Sequence, residues 1–109
     1  MKTGMMFILL VMFFPSIAFP GEIYGIIREG GKSVGPGVKI EITSNNITYS
    51  EETDKYGSYR IYVPEKGQCL LKLYYKEQSP VIAIYSYENS VQYDLILEKK
   101  DGQYSLRRK

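Results

Sequence analysis

Histidine is missing from all 109 residues. Without an imidazole, Ser-His-Asp and Cys-His catalysis and His-ligated zinc or iron are excluded. Cysteine occurs once, at Cys69, so no disulfide can form within the chain. A large charge of one sign is lacking too. Fourteen Lys and Arg stand against twelve Asp and Glu, a net of +2. That balance calls for neither nucleic acid nor an anionic membrane as partner. Acidic residues form no spaced ladder of the kind that supplies roughly six to eight oxygens to Ca²⁺. Glu51, Glu52 and Asp54 are the nearest approach to one. Glu51 and Glu52 are the only adjacent carboxylates, and neighbours on a strand point to opposite faces, so they cannot share a substrate. Long apolar runs are limited to Met5 to Phe14. As a helix that run would cover about half of a roughly 30 Å hydrocarbon core, too little to span it.

The same run has the layout of a secretory signal peptide. Lys2 precedes it, Pro15 ends it, and Ser16-Ile17-Ala18 places small residues where a signal peptidase cuts. Residues 1–18 are therefore expected to be a signal peptide cleaved after Ala18. No cysteine stands directly after the run to carry a lipid anchor. Residues 19–109 remain as one domain with a modest core. Loss of Lys2 lowers the net charge to +1. The one local asymmetry is the basic end, where Lys99, Lys100, Arg107, Arg108 and Lys109 stand against Asp101. Such charges blunt an exposed strand edge, and they could also dock an acidic partner.

Period-two alternation runs through the rest. Ile23, Gly25 and Ile27 alternate with Tyr24, Ile26 and Arg28. Val38, Ile40 and Ile42 alternate with Lys39, Glu41 and Thr43. Strands are also expected at 47–53, 59–63, 69–75, 81–85, 91–97 and 103–108. Tyr59, Ile61, Val63, Cys69, Leu71, Leu73, Tyr75, Val91, Tyr93, Leu95 and Leu97 fall on the inward side. Cys69 thus reads as a buried, inert thiol. Val81 to Tyr85 is apolar throughout, which predicts a strand covered on both faces. Between the strands lie the glycine-rich 30–37 loop, Ser44-Asn45-Asn46, Asp54 to Gly57, Gln78-Ser79-Pro80, Glu88-Asn89-Ser90 and Lys100-Asp101-Gly102. Gly31-Lys32-Ser33 matches only the end of a phosphate-binding loop and has no following helix, so it reads as surface. Eleven tyrosines suit half-buried pleated surfaces. Strands recurring about every ten residues predict an all-β, seven- to eight-stranded antiparallel Greek-key sandwich.

The turn Thr53-Asp54-Lys55-Tyr56-Gly57-Ser58-Tyr59 has a clear physical reading. The Asp54 carboxylate can accept backbone amides, Gly57 can take the positive φ that closes the turn, and Tyr59 can plug the core.

Ile23-x-Gly25-x-Ile27, Gly35-Pro36-Gly37-Val38-x-Ile40, Thr53-Asp54-x-x-Gly57-x-Tyr59-x-Ile61, the strand after Gly67, and Tyr93-Asp94-Leu95-x-Leu97 occur in that order. Together they resemble the carboxypeptidase regulatory-like domains, which are prealbumin-like (transthyretin-like) β-sandwiches. The resemblance covers about Glu22 to Glu98 and departs at Cys69, where the family often carries an aromatic. It implies a non-catalytic module that works beside other proteins, with no cofactor and no metal. Enzymes on similar sandwiches, the hydroxyisourate hydrolases and intradiol dioxygenases, depend on histidines that this chain lacks.

If the inward set holds, Tyr24, Ile26, Tyr62, Leu70, Tyr74 and Ile96 face outward. In prealbumin-like sandwiches the first and last core strands are neighbours. That would gather Tyr24, Ile26 and Ile96 into one candidate partner-binding patch, unless Tyr104 and Leu106 lie across it. The expected role is a protein-binding or structural accessory of the cell envelope, periplasmic or extracellular. Its partner would be another envelope or secreted protein. The alternative is a carbohydrate-binding module that stacks sugars on exposed tyrosines such as Tyr62 and Tyr74.

Overall fold

The alternating runs become strands in a computed structural model that describes residues 21–109. The reading of residues 1–18 as a signal peptide lies outside the described residues. Ten strands follow in order: β1 (Glu22–Glu29), β2 (Lys32–Ser33), β3 (Lys39–Ser44), β4 (Ile47–Glu52), β5 (Ser58–Tyr62), β6 (Gly67–Tyr74), β7 (Val81–Ser86), β8 (Val91–Gln92), β9 (Leu95–Lys100) and β10 (Gln103–Arg108). Eight are full strands, and β2 and β8 are two-residue pairings. There is no helix among the described residues.

The strands form two sheets. One has the order β4-β3-β6-β7. The other is centred on β1, which pairs β9 and then β10 on one side and β5 on the other, with β2 and β8 also on β1. Every adjacent pair is antiparallel except β1 with β8 and β9, where Ile27 lies opposite Leu95 and Glu29 opposite Leu97 in parallel register. That departs from a wholly antiparallel arrangement. Parallel neighbours cannot be joined by a hairpin, and here residues 30–94 lie between β1 and β9.

The inward positions meet between the sheets. Ile23, Ile27, Tyr59, Ile61, Leu95, Leu97, Tyr104 and Leu106 come from the first sheet, and Ile40, Ile42, Cys69, Leu71, Leu73 and Ile84 from the second; all are buried. Each fully buried Ile or Leu contributes about 1.5–3 kcal/mol by leaving water, which compensates for the missing disulfide. The Cys69 thiol sits in this core, as its spacing predicts.

Turn chemistry sets the register. Asn45 and Asn46 both take positive φ (50° and 67°) in the β3–β4 hairpin, where Ser44 lies opposite Ile47. Asp101 and Gly102 do the same between β9 and β10. Such two-residue turns match the twist of the strands they join.

Three expectations are corrected. The 30–37 segment is not all loop: Gly30-Gly31 form a tight turn that folds β2 back on β1. The reversal after β6 falls at Lys76-Glu77, both at positive φ, ahead of Gln78-Ser79-Pro80. The β7 strand is not covered on both faces. It is the edge of its sheet, and Val81 and Tyr85 are exposed while Ile84 and Ser86 are buried. Its unbroken apolar run therefore supplies both a core face and an exposed one.

Candidate binding faces

The outer face of the first sheet carries the three residues that the sequence grouped into one patch, but it does not gather them all. Tyr24, Ile26 and Ile96 all point outward and are half-buried. Pairing of β1 with β9 makes Ile26 and Ile96 diagonal neighbours, since Ile96 lies opposite Arg28. Both line a groove of about 860 Å³, with Arg28, Glu98, Lys100, Arg107 and Lys109 around them. Tyr24 stands apart. It lines a separate depression of about 550 Å³ shared with Glu51, Glu52 and Asp54, and Ile26 borders both. The Arg60 guanidinium lies 4.8 Å from the Tyr24 ring centre and donates to Glu22 Oε1 at 2.6 Å. One face of Tyr24 is thus already taken.

Tyr104 and Leu106 do not cover the patch. In β10 they alternate with Gln103, Ser105 and Arg107, and the pleat turns both into the core. Two long-range ties fix this hairpin: Gln78 Oε1 accepts from Tyr104 N at 2.8 Å, and Gln78 Nε2 donates to the Gly102 carbonyl at 2.8 Å. No local signal in the sequence marks Gln78 for that role.

The floor of the groove depends on a close approach between Gly25 and the Tyr93-Asp94 segment, which separates β8 from β9. A Cβ on Gly25 would lie 1.9 Å from the Tyr93 carbonyl oxygen. The Tyr59 hydroxyl, opposite Gly25 on β5, donates to that same oxygen at 2.6 Å. Asp94 Oδ1 accepts from Ile26 N at 3.0 Å. Burial, with the Asp94 charge second, pushes the Tyr59 phenol far above its ordinary value. Tyr59 is therefore both the core plug expected and a buried donor that anchors the outer face.

The turn reads as predicted. Asp54 Oδ1 accepts from Tyr56 N (2.8 Å) and Ser58 N (3.0 Å). Gly57 has φ +76° and its carbonyl accepts from Ile27 N. A Cβ there would meet Ser33 Oγ at 2.7 Å and the Ile27 carbonyl oxygen at 2.8 Å. The motif is structural: it docks the β4–β5 turn onto β1. Among the described residues no group of three or more His, Cys, Asp or Glu could hold a metal ion.

The two tyrosines named as sugar platforms lie on different sheets, Tyr62 in β5 and Tyr74 in β6. Tyr74 is engaged. Its hydroxyl donates to Glu41 at 2.7 Å, and Lys39 and Lys72 reach its ring. The Tyr74 hydrogen bond, helped by Lys39, holds the Glu41 carboxyl below its ordinary value. An aromatic pair not predicted from the sequence lies at the β7 edge. Tyr85 and Tyr87 are near-parallel, with centroids 6.3 Å apart at 25° and about half of each residue exposed. Their spacing of two, with Tyr87 just past the end of β7, was the available signal. The Tyr93 hydroxyl fixes the backbone beneath them, accepting from Tyr85 N at 3.0 Å and lying 3.3 Å from the Tyr85 carbonyl oxygen.

No protein-family model matches the chain, and no curated protein matches it by sequence.

Proposed function

We propose that this chain is a non-catalytic, exported accessory module of the cell envelope, periplasmic or extracellular, that acts by surface contact with another envelope or secreted protein. The observation that carries the reading is the groove of about 860 Å³ whose floor holds Ile26 and Ile96. Apolar side chains in a concavity on an otherwise polar sheet face mark a contact surface. The absence of histidine supports a role without catalysis. Membership of the carboxypeptidase regulatory-like family is part of the proposal, and the strand orders β5-β1-β9-β10 and β4-β3-β6-β7 support it. The test is pull-down from an envelope extract with wild type and with Ile26→Ser/Ile96→Ser. Loss of a partner with an unchanged melting temperature is expected, and undiminished capture refutes the assignment of this face.

A carbohydrate reading has its own observation in the Tyr85–Tyr87 pair. Near-parallel, half-exposed rings can stack on the apolar faces of sugar rings. Affinity electrophoresis through embedded polysaccharides tests it: retardation lost in Tyr85→Ala/Tyr87→Ala supports the reading, and mobility unchanged by every polysaccharide ends it.

A further inference from the structure

We infer that the partner element received by the groove is an acidic peptide segment carrying apolar side chains. This rests on the contact-face reading above and names the chemistry of its partner. Pairing of β1, β9 and β10 puts Arg28, Ile96 and Arg107 in one row across the sheet, because Ile96 is opposite both arginines. Strands lie about 4.8 Å apart, so the two guanidinium-bearing backbones flank the isoleucine about 10 Å from each other. Lys100 and Lys109 also line the groove.

Arg107 is paired with Glu98, but the other three cations are not matched from within. Arg28, Lys100 and Lys109 have no carboxylate at ion-pair distance among the described residues. The carboxylates of the groove are largely committed. Glu98 accepts from Arg107 at 2.9 Å, Asp94 accepts from Ile26 N and Gln92, and Glu29 accepts the Tyr75 hydroxyl at 2.8 Å. On the opposite sheet Lys39 lies 3.3 Å from Glu41 and is paired. A lone exposed cation is usually just solvated. Three unpaired ones around a concave apolar floor form a complementary surface for carboxylates interleaved with apolar groups. Arginine favours this use, since its planar fork matches a carboxylate. Nucleic acid fits less well, because no aromatic ring lines the groove to stack a base.

The test measures anisotropy of a fluorescein-labelled peptide of about ten residues, glutamates interleaved with leucines, in the helix-in-groove or strand-addition size range. The control replaces each Glu by Gln. The acidic peptide is expected to bind and the Gln peptide to bind roughly tenfold more weakly or worse. Arg28→Glu/Lys100→Glu should weaken binding by a similar factor without moving the melting temperature, and raising salt from about 50 to about 300 mM should weaken it several-fold. Equal binding of both peptides, or none, overturns the inference. So does preference for a mixed-sequence oligonucleotide. So does self-association abolished by Glu51→Lys/Glu52→Lys, which would assign the groove to the acidic edge of a second copy. Partner capture lost in Ile26→Ser/Ile96→Ser but kept in the charge-reversal variant would sink the acidic partner alone and leave the contact face standing.

Discussion

Gly25→Ala isolates one packing relation from ordinary backbone preference. Gly25 is not among the glycines at positive φ, so alanine fits its backbone without strain. On strand preference alone, alanine should gain about 0.5–1 kcal/mol. Geometry demands the opposite. The added Cβ would lie 1.9 Å from the Tyr93 carbonyl oxygen and 2.6 Å from its carbon, and both are backbone atoms with no rotamer to escape into. Relief to about 3 Å, the shortest separation that real Cβ atoms adopt, needs a shift of about 1.1 Å. Three hydrogen bonds hold the segment where it is: Tyr59 hydroxyl to Tyr93 carbonyl at 2.6 Å, Tyr93 N to Tyr24 carbonyl at 2.8 Å, and Ile26 N to Asp94 at 3.0 Å. Loss of the first strands a buried hydroxyl at about 1–3 kcal/mol, and each of the others contributes about 1 kcal/mol. After the alanine gain the net is about 2–4 kcal/mol of destabilisation, a large share of the roughly 5–10 kcal/mol that holds a domain of this size. Urea unfolding followed by circular dichroism measures it. Combining Gly25→Ala with Tyr59→Phe should cost less than the two single changes summed, because both act on the same carbonyl. A Gly25→Ala protein as stable as wild type would refute the close approach and the placement of Asp94 beside Ile26.

Two further outcomes are expected. Burial holds the Tyr59 phenol far above its ordinary value, burial and the Glu29 hydrogen bond push Tyr75 to about 12, and the hydrogen bond to Glu65 pushes Tyr49 to about 12. In the unfolded chain these groups ionise near about 10. A folded value above the unfolded one adds stability that is whole below about pH 10 and is lost as pH rises through about 12. Absorbance titration at alkaline pH should show a delayed fraction of the tyrosines, and all of them ionising together near pH 10 in a still-folded protein would contradict the structure. Asp54→Ala removes two amide acceptors from an exposed turn and should cost about 1 kcal/mol in urea unfolding, with Asp54→Asn retaining most of the stability.

The sequence by itself determined which side chains face inward. Ile40, Ile42, Leu71, Leu73, Leu95 and Leu97 are buried where their spacing put them, because the pleat alternates faces every residue and needs no knowledge of neighbours. It also determined the turns at Asn45-Asn46, Asp54 to Gly57 and Asp101-Gly102, whose backbone angles follow from local chemistry. The β7 run misled, because an unbroken apolar strand reads the same whether its second face is covered or open. Tertiary structure alone decided who stands beside whom. The parallel pairing of β1 with β9 brings Arg28 next to Ile96 and Arg107, and presses Gly25 against Tyr93. Those partners lie tens of residues apart, and no period-two pattern encodes strand order. The groove is a product of that order: its cations are visible in the chain, but their convergence around Ile26 and Ile96 exists only once the sheet has closed.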